Sequence, residues 1–71
     1  MTNTAKLKAK IVEKGMVQEE IALALGMTIA TFNYKVNNKR EFKASEIKKL
    51  SKHLSLTAEE VNTIFFAEEV E

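Results

Sequence analysis

The sequence contains no cysteine and no proline. Without cysteine there is no disulfide, no thiolate nucleophile and no zinc–cysteine cluster. With no proline, no Gly/Ser-rich stretch and no low-complexity tract, no segment reads as an interdomain linker. Histidine occurs once, at His53, with no second ligand type near it at metal-binding spacing. The paired acids Glu19–Glu20, Glu59–Glu60 and Glu68–Glu69 are adjacent in sequence, so on a helix they point in different directions. No enzyme, cofactor, metal site or small-molecule substrate is expected. Long apolar runs are also missing. The longest, Ile21 to Ala30, is interrupted by Gly26 and Thr28 and falls far short of the roughly 20 residues of a spanning helix. The opening MTNTAKLKAK lacks the apolar core of a secretory signal. No membrane partner is expected, and the cytoplasm is the expected compartment.

What is present is an ordinary globular composition, 45% hydrophobic and 30% charged, over 71 residues. That length makes one domain with a thin stability margin. The net charge of +1 conceals an asymmetry. Residues 1–52 hold all eleven Lys and Arg against five acids, a balance of +6, whereas residues 53–71 hold five acids and no Lys or Arg. Such asymmetry points to a polyanionic partner or a membrane surface.

The only glycines, Gly15 and Gly26, each follow a run of helical periodicity, where a left-handed terminator belongs. Helix one is expected over residues 4–14, with Leu7 and Ile11 one turn apart and Ala5 and Val12 flanking them. Helix two, over 18–25, buries Ile21, Ala22 and Leu25 and places Glu19 and Glu20 in its first turn, where the helix dipole favours negative charge. Thr28 is an N-cap for a third helix over 28–37, with Phe32 and Val36 on one face. Asn37-Asn38-Lys39-Arg40 reads as a loop. Helix four, over 45–54, carries Ile47, Leu50 and Leu54. Thr57-Ala58-Glu59-Glu60 is a capping box opening helix five over 58–66, with Val61, Ile64 and Phe65 inward, followed by an acidic tail over 67–71. No segment alternates as a strand. The expected fold is all-α, five short helices in a single domain.

The informative stretch is VQEEIALALGMTIATFNYKVNNKREF, residues 17–42. It has helix-turn-helix spacing, in which two short helices cross steeply. Ala22 is small where the helices approach, Gly26 makes the reversal, and Ile21, Leu25, Met27, Phe32 and Val36 form the wedge between them. At this point the chain resembles the lambda-repressor-like family of phage repressors and Cro-type regulators. The phrase TFNYKVNNKREF is similar to the small phage-encoded Cro-like proteins of Gram-positive hosts, and the likeness covers nearly the whole chain.

The resemblance implies a compact five-helix DNA-binding domain with the helix-turn-helix at helices two and three. It implies a sequence-specific transcriptional regulator, a Cro-like repressor in a lysis–lysogeny switch, bound as a homodimer to double-stranded operator DNA. The rival reading is an antirepressor or modulator that binds a cognate phage repressor through the same fold. A third is the isolated DNA-binding domain of a longer repressor. If the 71 residues are the whole native chain, no second oligomerisation or self-cleavage domain is expected.

By the same resemblance, Gln18 clamps a backbone phosphate and braces the next helix, and Thr28 also touches phosphate. Ile29, Ala30, Asn33 and Tyr34 face the major groove. Independently, Phe32 and Val36 set the inner face of helix three, which leaves Ala30, Asn33, Tyr34 and Asn37 roughly opposite. Asn33 suits adenine, since an amide donates and accepts at once. Ile29 and Ala30 offer apolar contact to a thymine methyl. Tyr34 has two readings, a contact to phosphate or sugar and a ring closing the core edge. Asn38, Lys39, Arg40 and Lys43 follow the recognition helix and are expected to meet phosphates. Lys6, Lys10 and Lys14 form a stripe on helix one whose mutual repulsion an external polyanion would relieve; a simple solvated face is the other reading. Phe66, with Val70, is either a contact for a second subunit or partner, or part of a tail folded back on the core. His53 is expected exposed near the end of helix four. Two positions depart from the family pattern. Val17 stands where a Ser or Thr cap is common. Lys43 stands where a helix-four cap is common, with Ser45 as a substitute and Glu46 as a compensating charge.

Overall fold

The computed structural model describes residues 1–66. Among them there are five helices and no strand: α1 Thr4–Glu13, α2 Gln18–Ala24, α3 Ile29–Val36, α4 Ala44–His53 and α5 Ala58–Phe65. None of these helices is long and apolar enough to cross a membrane.

The helix starts follow local chemistry. Asn3 caps α1 by accepting the Lys6 N–H at 3.0 Å. Thr57 and Glu60 form the full capping box of α5, Thr57 Oγ1 accepting from the Glu60 N–H and Glu60 Oε1 from the Thr57 N–H. The two caps without a side-chain acceptor are rescued from the third helical position. Glu20 takes the Val17 N–H, and Glu46 takes the Lys43 N–H at 2.8 Å. Lys43, not Ser45, is therefore the cap of α4, and that helix begins one residue earlier than expected, at Ala44.

The ends of α1 to α4 share one geometry. A residue at positive φ follows each helix: Gly15, Gly26, Asn38 and Ser55, at φ 69°, 75°, 64° and 54°. The amide after it reaches back to the third-last helical carbonyl, as Met16 does to Ile11, Met27 to Ala22, Lys39 to Tyr34 and Leu56 to Ser51. This is the Schellman termination. It leaves Lys14, Leu25, Asn37 and Leu54 as caps just outside the helices.

The core comprises Leu7, Ile11, Ile21, Ala22, Leu25, Phe32, Val36, Phe42, Leu50, Leu54, Ile64 and Phe65, with Met16, Met27, Ile47, Leu56 and Val61 packed around it. Phe42 arrives from the loop before α4 and lies edge-on between Phe32 and Phe65, with centroids at 6.0 and 5.6 Å. Ala5 and Val12 do not join the core, and Val12 is 75% exposed. Only the single Leu7–Ile11 line of α1 is buried. Val12 is turned about 100° from Ile11, and Ala5 about 200° from Leu7, at 3.6 residues per turn.

The cap and first residue of α1 stitch the bundle together. The Asn3 N–H donates to the Ile64 carbonyl of α5, and the Thr4 hydroxyl donates to the Val36 carbonyl at the end of α3. The Val36 carbonyl belongs to the last turn of α3, where helical carbonyls lack an intrahelical partner.

Candidate nucleic-acid interface

The turn between α2 and α3 is short because Gly26 takes the left-handed conformation and Met27 closes back onto Ala22 at 3.0 Å. Thr28 then caps α3, its Oγ1 accepting from the Thr31 N–H, while the two hydroxyls hydrogen-bond each other at 3.1 Å. Once α3 starts there, its register is set by burial. Phe32, Lys35 and Val36 face inward. Ile29, Ala30, Asn33 and Tyr34 are exposed; helical spacing puts Ala30, Asn33 and Tyr34 away from the buried side, while Ile29, seven residues before Val36, stands at its edge and is 37% exposed. Tyr34 is 53% exposed, which disfavours the reading of a ring that closes the core edge.

Gln18 opens α2 and is half-buried. Its amide makes no hydrogen bond to another described residue. Lys39, Arg40 and Lys43 are exposed in the segment that follows α3. Among the described residues no carboxylate pairs with them.

Two expected phosphate contacts have other duties. Asn38 stands in the left-handed position that ends α3, and its side chain grips the amino-terminal backbone. Its Oδ1 accepts from the Thr2 N–H at 2.9 Å, and its Nδ2 donates to the Thr2 carbonyl at 2.8 Å. Lys10 turns inward along the bundle to Glu60 of α5 at 2.7 Å and also meets Glu13 at 3.1 Å. The lysine stripe of α1 is thus relieved internally at its middle member, leaving Lys6 and Lys14 exposed without an ion pair among the described residues.

The residue that sequence reasoning missed is Lys35. Its side chain is only 7% exposed, and its Nζ lies 2.7 and 2.8 Å from the two oxygens of Glu46. A signal was present, because Lys35 falls on the same helical face as Phe32 and Val36. Burial pushes the Glu46 carboxyl up. The Lys35 hydrogen bond, the Lys43 N–H and the two lysine charges outweigh that and hold it below its usual value. On the other side of the bundle, the Lys10 hydrogen bond and the Thr57 N–H lower Glu60, while hydrogen bonds to Glu60 and Glu13 raise Lys10.

Elsewhere, His53 is the exposed last residue of α4. Phe66 is 57% exposed and lines a shallow hollow with Met1, Thr2, Phe42, Ile47 and Phe65. Val70, its expected companion, lies outside the described residues, as does the rest of the acidic tail.

Residues 2–68 match a family described as a protein of unknown function (DUF739). The chain belongs to that family. Its matched span takes in all five helices and every residue placed on the α3 face and the loop behind it. A comparison with curated proteins gave no match.

Proposed function

We propose that this member of the family is a sequence-specific DNA-binding transcriptional regulator of the lambda-repressor-like type, a Cro-like repressor encoded by a phage or prophage. The observation that carries the reading is an exposed helix face followed directly in the chain by exposed cations. The outer face of α3 offers an amide, a phenol and the Ala30 methyl, with Ile29 at its edge, and the exposed cations Lys39, Arg40 and Lys43 follow it in the chain. At eight residues, α3 is about 12 Å long, and the major groove is about 12 Å wide. Asn33, Ile29 and Ala30 would read base edges. The cations, with Gln18, Thr28, Lys6 and Lys14, would neutralise or hydrogen-bond phosphates. No arginine lies on the outer face of α3, so a guanine-centred bidentate code is not expected from it. A homodimer would place two copies of α3 about one helical turn of DNA apart.

Fluorescence anisotropy with the intergenic switch DNA of the source phage, at two salt concentrations and with or without the neighbouring repressor, tests this. Binding by the protein alone that weakens steeply with salt supports it. Asn33→Ala is then expected to relax sequence preference by about 1–3 kcal/mol; an unchanged preference removes Asn33 from base reading. The exposed Phe66 beside its hollow favours a second reading, a modulator that docks on a cognate repressor. Capture of the repressor without DNA would select that one.

A further inference from the structure

The segment from Asn37 to Lys43 carries the exposed cations and is fastened at three points. Asn38 is tied to Thr2 by two hydrogen bonds. Phe42 is locked between Phe32 and Phe65. Glu46 holds both ends at once, taking Lys35 Nζ from the α3 side at 2.7 and 2.8 Å and the Lys43 N–H from the α4 side at 2.8 Å. Between these fastenings Lys39 and Arg40 project into solvent. Phe42 and Glu46 both join the recognition helix to the start of α4; Glu46 alone does so by hydrogen bonds, and with Lys35 it is nearly enclosed, at 16% and 7% side-chain exposure.

We infer that Glu46 is a positioning residue for DNA backbone binding: by clasping Lys35 and the Lys43 amide it presents Lys39 and Arg40 as a preformed pair of phosphate contacts. The inference rests on the DNA-binding reading. Its physical basis is preorganisation. Two long cationic side chains on a free loop must be ordered on binding, which lowers affinity. A loop closed at both ends by one carboxylate has already lost that freedom.

The consequence runs against simple electrostatics. Glu46→Gln removes a negative charge from a protein meant to bind a polyanion, so charge alone predicts tighter binding with steeper salt dependence. Glu46 as a positioning residue predicts the reverse. Non-specific affinity for a mixed-sequence duplex, followed by anisotropy across a salt series, is expected to fall. The slope of log K against log salt is expected to shrink by about one to two phosphate equivalents, at about 0.9 each. Glu41→Gln, an exposed acid in the same loop, is the control for the charge change and is expected to tighten binding slightly. Lys35→Met should reproduce the Glu46→Gln loss, and the double variant should be no weaker than either single one. A merely structural role would lower the folded fraction and leave the salt slope unchanged. Tighter binding by Glu46→Gln, an unchanged slope, or additive losses would overturn the inference.

Amide hydrogen exchange in the free protein separates this from the DNA reading itself. Faster exchange confined to residues 38–43 of Glu46→Gln, with the Lys43 amide foremost, is expected, and unaltered exchange there refutes the clasp. Should the unsubstituted protein bind no duplex at all, the DNA reading fails while the exchange result still judges the clasp.

Discussion

The α3–α4 corner and the α1–α5 seam are each closed by one lysine and one glutamate at 2.7 Å, yet the surroundings of the two pairs differ. At the corner, Lys35 and Glu46 are 7% and 16% exposed, and Glu46 also serves the Lys43 amide. At the seam, Lys10 and Glu60 are 16% and 34% exposed, and Lys10 divides itself between Glu60 and Glu13. Water and salt screen the second pair far more than the first. The corner pair therefore constrains geometry, and the seam pair mainly removes a repulsion among the α1 lysines. The same residue types at the same distance do different work according to what covers them.

Removing the corner's apolar anchor should have the greatest effect. Phe42→Ala deletes the middle ring of a buried stack and is expected to cost about 3–5 kcal/mol in urea unfolding. A cost below about 1 kcal/mol would mean that the stack does not anchor the loop. Next comes the contrast between the pairs. Lys35→Met leaves Glu46 short of its main partner in a nearly dry site and is expected to cost about 1–3 kcal/mol, insensitive to salt. Lys10→Met should produce a smaller loss that vanishes in high salt. Thermal melts at low and high salt check both, and equal salt sensitivity would erase the distinction.

Titration sharpens the same contrast. Glu46 and Glu60 are held below their ordinary value of 4.5, so their contribution is present above that pH and is lost as pH falls through their lowered folded values. Lys10 is raised above 10.5, so its contribution is complete below that pH and is lost as pH rises through its raised folded value. Stability should therefore be flat between these limits and fall on both sides. Lys10→Met should remove its own part of the alkaline fall while leaving the acid fall that comes from Glu46. Melting temperature against pH for both forms decides this.

The smallest expected effect concerns two helix ends. Ser55→Gly relieves a positive-φ serine and is expected to stabilise by about 0.5–1 kcal/mol. Asn38→Gly relieves the same strain but loses both hydrogen bonds to Thr2, so it should give a net loss. Equal gains at both sites would show that the Asn38–Thr2 tie contributes nothing.

Much of the fold was legible because it is written locally. Periodic apolar residues, the Thr28 and Thr57 caps and the two glycines located all five helices. The outer face of α3 followed from Phe32 and Val36 alone. What escaped was decided across the chain. Asn38 and Ser55 enter the left-handed region only because the turns around them close, and neither residue type announces that as glycine does. Lys10 meets Glu60 fifty positions away, and Phe42 is buried from a segment that reads as polar loop. In the candidate site the exposed residues were found, and the buried Lys35–Glu46 support beneath them was not.

On the proposed reading, the outer face of α3 and the loop behind it form the DNA surface. Backbone amide NMR shifts during titration with the operator duplex test it most directly. Shifts concentrated at Gln18, Thr28 to Tyr34 and Lys39 to Lys43, with α5 unmoved, are expected. Shifts confined to Phe66 and its hollow, or none at any residue, would contradict it.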